Sequence, residues 1–254
     1  MTDWDGTQYG VVGELQRVMA DESLRLLDLD GDEKVLDIGC GDGFVTAQIA
    51  DRLPHGSIVG IDPSPRMIEA ARRRDTTATF DAGNVMTVDA SGEFDVVTSF
   101  NALHWVHDQA TAMRNIAAAL RPDGRSLLVF VCAGPRRSLE DVAMDVTAEP
   151  RWVDEFRDFR APFVHPVPAE FAALVTAAGL EVTDQTVADK SWDFGSREAF
   201  RDWCAVGFGD WTGRLSPADA DAFVDDVVDR YTDLIGSPGT FAFYQLRMNL
   251  RRAR

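Results

Sequence analysis

The decisive stretch is Val35-Leu36-Asp37-Ile38-Gly39-Cys40-Gly41-Asp42-Gly43-Phe44. A short apolar run opens it, and three alternating glycines follow. From Phe44 to Leu53 apolar residues recur at helical spacing until Pro54. This order predicts a buried strand, a glycine turn and a helix. Glycine adopts positive φ at little cost and lets a ligand approach the backbone closely. In open α/β sheets ligands bind at the carboxyl ends of strands, where the strand order reverses.

Working outward, strands and helices alternate. Ser57 to Ile61 reads as a second strand, and Pro65 to Arg74 as a helix. Ser64 is its expected N-cap, with Pro65 at the first helical position. Thr77 to Phe80 and Phe94 to Ser99 read as strands three and four. An alanine-rich helix spans Gln109 to Leu120, closed by Arg121-Pro122-Asp123-Gly124, and Ser126 to Val131 reads as strand five. Such alternation implies right-handed βαβ units and a parallel sheet. Beyond residue 135 the rhythm breaks. Residues 137–178 read as helices, and strands near 181–189 and 239–247 are separated by helices near 196–205 and 216–235. The expected fold is a doubly wound, mostly parallel seven-stranded α/β sheet with a helical cap. Its expected divisions are an N-terminal helical segment (1–30), a ligand-binding core (31–134), cap helices returning to the sheet (135–180), and the last two strands with an inserted cap (181–254).

Composition narrows the function. The chain has 254 residues with 25 Lys and Arg against 42 Asp and Glu, a net charge of −17. A nucleic-acid partner calls for clustered basic residues, and the candidates are Arg72-Arg73-Arg74 and the arginines at 247, 251, 252 and 254. No nucleic-acid partner is expected. Three widely spaced cysteines, Cys40, Cys132 and Cys204, suggest neither a disulfide framework nor a metal site. No apolar run approaches the ~20 residues of a membrane span, and no secretory leader is visible, so a cytoplasmic protein is expected.

The ligand follows from the loop's charge. A dinucleotide loop reads G-x-G-x-x-G and places a pyrophosphate on the helix N-terminus. Here Phe44 stands where the third glycine of that pattern falls, and Asp37 precedes the loop. A carboxylate there repels a pyrophosphate and suits a cation. Asp62 ends strand two, 19 residues past Gly43, where a carboxylate can accept ribose hydroxyls.

The stretch resembles motif I of the class I S-adenosylmethionine-dependent methyltransferases. Gly60-Ile61-Asp62-Pro63-Ser64, Gly83-Asn84-Val85, Phe94-Asp95-Val96-Val97 and Leu120-Arg121-Pro122-Asp123-Gly124 extend the match over residues 34–131. The resemblance implies that Gly39, Gly41 and Gly43 pack on the methionine moiety and that Asp62 with Pro63 binds the ribose. It further implies that Asn84 and Val85 meet the adenine, with Met67 against its ring, while Phe100 and Asn101 close the cofactor site. Asn84 stands where the family usually has Asp. S-adenosylmethionine is the implied cofactor and S-adenosylhomocysteine its product.

The run Ser99-Phe100-Asn101-Ala102-Leu103-His104-Trp105-Val106-His107-Asp108 follows strand four. It resembles the small-molecule carboxylate branch, which includes trans-aconitate, juvenile hormone acid and fatty acid methyltransferases. That branch implies Gln16 and Trp105 as donors to the substrate carboxylate and Tyr9 as a cofactor contact. The chemistry agrees: a carboxylate is ionised at neutral pH. Its methylation requires in-line positioning near 3–3.5 Å rather than a base. A rival reading makes His104 the base for a phenol, hydroxyl or carbon acceptor, and a third makes the chain a non-catalytic S-adenosylmethionine binder. Trp152, Phe156, Phe159, Phe163, Trp192, Phe194, Phe200, Trp203, Phe208 and Trp211 concentrate in the cap, favouring a lipophilic acid. Arg136, Arg137, Arg151, Arg157 and Arg160 keep a tricarboxylate open.

Overall fold

The computed structural model describes residues 14–253. One seven-stranded sheet runs β3-β2-β1-β4-β5-β7-β6. Its strands are β1 (Lys34–Ile38), β2 (Ser57–Asp62), β3 (Thr79–Ala82), β4 (Phe94–Phe100), β5 (Leu120–Cys132), β6 (Leu180–Asp193) and β7 (Thr240–Arg252). The first five are mutually parallel, and β7 runs antiparallel to both β5 and β6. The chain winds outward from β1 to β3 and restarts on the other side at β4. The helices that follow β1 and β4 therefore lie on opposite faces of the sheet, and a crevice opens at the carboxyl ends of these two strands.

Helix α1 (Glu14–Leu24) precedes β1, and α2 (Phe44–Ala50), α3 (Pro65–Ala71) and α4 (Gln109–Ala119) connect the parallel strands. Local chemistry sets their ends. Ser64 accepts the Met67 N–H at 3.2 Å and Pro65 follows as the first helical residue, as the sequence predicts. Asp108 caps α4 through the Thr111 N–H. Buried apolar residues of α4 and α6 (Pro168–Ala177) pack on one sheet face, and Leu24, Leu27, Ile49 and Leu53 pack on the other.

Strands three, six and seven and the helix from Pro65 end a few residues away from expectation, and two larger differences have a plain physical cause. β5 begins at Leu120, because that residue pairs with Phe94 before the chain loops out over 121–124 and resumes opposite Val96 at Arg125. Asp123 takes φ 65° in that excursion. The region 137–178 is only partly helical. Helix α5 (Leu139–Thr147) is followed by turns and an extended stretch before α6. Pro162, Pro166 and Pro168 cluster there, and proline lacks the N–H that a helix interior needs.

Between β6 and β7 lie α7 (Arg197–Gly207), α8 (Gly209–Thr212) and α9 (Pro217–Ile235), which form with α5 and α1 a second apolar cluster. Tyr231 of α9 ties it to the sheet: its hydroxyl donates to the Ala242 carbonyl at 2.8 Å and accepts the Ala242 N–H at 3.0 Å. Most cap aromatics serve this packing. Trp152, Phe156, Phe163, Phe200 and Trp211 are buried within the cluster, and of the ten only Trp203 and Phe208 line the cavity described below. The basic clusters are engaged internally. Arg72 holds the Phe80 carbonyl, Arg73 pairs with Glu69 and Arg74 with Asp42. Arg247 and Arg251 bridge to β6 through Asp184 and Glu181.

Candidate active site

The crevice deepens into a cavity of about 480 Å³ that runs from the glycine loop to the cap. The loop is pinned across the sheet, with the Gly39 and Cys40 N–H groups both donating to the Ile61 carbonyl, at 2.8 and 3.0 Å. The three glycines do different work. Gly39 (φ 75°) would place a Cβ only 2.2 Å from the Ala102 Cβ, so the glycine loop and the loop after β4 touch there. Gly41 (φ 55°) has nothing within 4 Å of such a Cβ and faces open space in the cavity. Gly43 (φ 78°) begins α2 against the Phe80 ring and Ala71, which leaves it in packing and outside the cavity lining.

Asp62 lines the cavity and supports the loop at once. One carboxylate oxygen accepts the Gly41 N–H at 3.0 Å, and the other accepts the Ser64 N–H at 2.9 Å. A carboxylate offers about four lone-pair sites, so acceptor capacity remains for ribose hydroxyls. Burial raises its pKa against the opposing pull of those two N–H groups. Asp37 is 1% exposed. Its oxygens accept the Thr46 hydroxyl at 2.6 Å and the Thr98 hydroxyl at 2.9 Å. Burial pushes its carboxyl up to about 6 despite both hydroxyls. Asp37 thus reaches the cavity wall as a largely satisfied anion, and it orders the loop's base as well as setting its charge.

Pro63, Met67, Asn84, Val85, Phe100 and Asn101 all border the same cavity. Asn84 Oδ1 already accepts the Met86 N–H at 2.8 Å, which forms a local turn and leaves its second lone pair for a ligand amino group. Asn101 is held at φ 53°, and its buried Oδ1 has no partner among the described residues. An orphaned acceptor and an open glycine face, beside two carboxylates, form a fitting cradle for a cationic amino-acid nucleoside.

Deeper in, the 3₁₀ turn Leu103–Trp105 presents His104 and Trp105 to the cavity. Their rings lie 5.0 Å apart. Burial, reinforced by the His165 ring 6.2 Å away, pushes the His104 imidazole down to about 3. His107 Nε2 bonds instead to the Ala161 carbonyl at 2.9 Å. Around the far end stand Val131, Leu139, Phe208, Phe241 and Phe243. Leu15, Arg17 and Met19 of α1 also face the cavity. Gln16 lies on that helix, but its side chain, like Tyr9, falls outside the described residues. None of Arg136, Arg137, Arg151, Arg157 and Arg160 lines the cavity. Arg136, Arg137, Arg151 and Arg157 pair with Asp189, Asp145, Asp226 and Asp154.

The sequence did not point to Thr46, Thr98, Ala102, Glu140 or His165. Strand register brings Thr98 opposite Asp37. Glu140 reads in sequence as an ordinary acid in a first helical turn.

Comparison with known proteins assigns the family. The family described as a methyltransferase domain matches residues 11–185. The chain belongs to the S-adenosylmethionine-dependent methyltransferases. It is 32% identical over 183 residues to trans-aconitate 2-methyltransferase of Rhodococcus jostii, covering 70% of each chain. It is 31% identical over 138 residues to juvenile hormone acid O-methyltransferase of Bombyx mori, covering 52% of this chain and 50% of that protein. The YcgJ protein of Bacillus subtilis superposes with a TM-score of 0.67 at 19% identity, covering 94% of this chain and 99% of that one. That last likeness shows the shared fold. No described helix is long and apolar enough to cross a membrane.

Proposed function

We propose that this methyltransferase converts the carboxylate of a small lipophilic acid to its methyl ester. The observation that carries the reading is the depressed basicity of His104, the imidazole at the reacting end. Burial holds the ring well below the ordinary imidazole range, which makes His104 a poor acceptor for the proton of a phenol. An acceptor that arrives already nucleophilic needs no base from His104, and an ionised carboxylate is one. S-adenosylmethionine, held by Asp62, Gly41 and Asn101, would supply an electrophilic methyl group, with the C–S electron pair left on sulfur as the new C–O bond forms.

The protein's own contributions are binding, orientation and exclusion of water. Asp62, Gly41 and Asn101 hold the cofactor end, while Trp105 orients the acceptor, with Gln16 the second donor that the family resemblance implies. The apolar walls at Val131, Leu139, Phe208, Phe241 and Phe243 favour a hydrocarbon chain over a tricarboxylate. Residues 31–134 then form the cofactor core, and the helical segments before and after it cover the acceptor. The named activities of the Rhodococcus and Bombyx relatives, both on acids, support the same acceptor class.

The test is incubation with methyl-labelled cofactor and a panel of medium- to long-chain acids, with extraction of the ester. Labelled ester is expected, and its absence across the panel overturns the reading. His104→Leu should retain ester formation with a flat profile between about pH 6 and about pH 9. Abolition with steep alkaline rescue would instead establish His104 as a base.

A further inference from the structure

The amino-acid end of the cofactor carries an ammonium and a carboxylate, and the glycine loop suits only the first. Asp37, Asp42 and Asp62 flank the loop and line the cavity, which favours a cation. The loop's backbone offers little to an anion. The Gly39 and Cys40 N–H groups both donate to the Ile61 carbonyl, and the Gly43 N–H donates to the Cys40 carbonyl. The Gly41 N–H donates to Asp62 Oδ2 at 3.0 Å and the Phe44 N–H to Asp42 Oδ1 at 3.2 Å. A loop that cradles phosphate leaves such groups pointing at the ligand. Here they are committed within the protein, so a carboxylate set among three acids calls for a side-chain cation.

The cavity provides one candidate. Among the described residues that line it, Arg17 is the only lysine or arginine. Arg74 comes close to the loop, but it bonds the Asp42 carbonyl, pairs with the Asp42 carboxylate and does not line the cavity. His104 does not substitute, because burial disfavours its charged form. The Arg17 guanidinium stands 5.6 Å from the centroid of the Phe44 ring. Phe44 follows the loop directly and lines the cavity with it. Stacking on a ring consumes none of the five N–H donors of a guanidinium, and their fork matches a carboxylate.

We infer that Arg17 binds the α-carboxylate of S-adenosylmethionine and thereby fastens α1 across the cavity. Leu15 and Met19 of the same helix are buried and line the same cavity. They belong to the apolar cluster that contains Val131, Leu139, Phe208, Phe241 and Phe243. The cofactor's carboxylate, through Arg17, therefore helps to hold the helix that walls the acceptor end. The inference does not depend on which group accepts the methyl.

The experiment is calorimetric titration with S-adenosylhomocysteine and with its α-carboxamide, the same nucleoside with that carboxylate neutralised. Wild type is expected to bind the carboxylate form on the order of tenfold more tightly. Arg17→Met should bring the ratio to about one by weakening the carboxylate form alone, while Arg17→Lys, which keeps the charge, should retain a preference of roughly threefold. A merely structural role would weaken both ligands alike and leave the ratio unchanged, which would refute the anchor. Hydrogen exchange of the backbone amides over residues 15–24 reads the second part. Saturating S-adenosylhomocysteine should slow exchange there in wild type and not in Arg17→Met. If the ratio collapses in Arg17→Met yet the ligand leaves wild-type exchange untouched, the fastening of α1 is refuted.

Discussion

Replacing Gly39 by alanine tests whether the cofactor loop and the acceptor loop are one packed unit. Two costs add. At φ 75° an L-residue is strained, by about 1–2 kcal/mol. The new methyl would also lie 2.2 Å from the Ala102 Cβ, and relieving such an overlap costs roughly 1–3 kcal/mol. Gly39→Ala should therefore lose about 2–5 kcal/mol of unfolding free energy. It should also bind S-adenosylhomocysteine at least tenfold more weakly, because the loop must shift. Ala102→Gly removes the clashing atom and leaves the Ala102 Cα at 3.7 Å as the nearest neighbour. The double variant should recover the steric part and retain only the backbone strain of about 1–2 kcal/mol. The assay is a double-mutant cycle by urea denaturation, paired with calorimetric titration. A coupling energy near zero, or a Gly39→Ala variant within about 0.5 kcal/mol of wild type, would refute the contact between the two loops.

Two further expectations concern the carboxylates. Asp62→Ala strands the Gly41 and Ser64 N–H groups as well as removing the ribose acceptor, so affinity for S-adenosylhomocysteine should fall by two orders of magnitude or more, about 3 kcal/mol; calorimetry showing less than a threefold loss would contradict that placement. For Asp37 the folded carboxyl sits at about 6 against an ordinary 3.8, so the folded state binds the proton more tightly and stability is lost as pH rises from about 4 through 6. Relative to Asp37→Asn, the apo wild type should lose about 3 kcal/mol between about pH 4 and about pH 7, and parallel pH–stability curves for the two proteins would exclude it.

Much of the cofactor half is legible in the sequence because its signals are local. A glycine loop must follow its strand directly, Ser64-Pro65 marks a helix start wherever it falls, and Asp62 sits a fixed distance down the chain. The cap is less legible. Its aromatics at helical spacing suggest a substrate pocket, yet Trp152, Phe200 and Trp211 pack against other helices. Periodicity reports that a face is buried and not what buries it. The extended stretch before Pro168 was hidden for a related reason: its apolar residues cover neighbouring elements without forming a helix.

Sequence by itself determined the succession of strands and helices in the first half, the loop's shape and the sign of its charge, since each depends on neighbours within about thirty positions. Tertiary structure alone decided which groups are satisfied. Strand pairing gives Asp37 its hydroxyl from Thr98, burial, with His165 alongside, strips His104 of its basicity, and the folded-over cap leaves Glu140 Oε2 without a hydrogen bond among the described residues. Burial and hydrogen bonding are properties of the whole enclosure, and an enclosure is built from segments far apart in the chain.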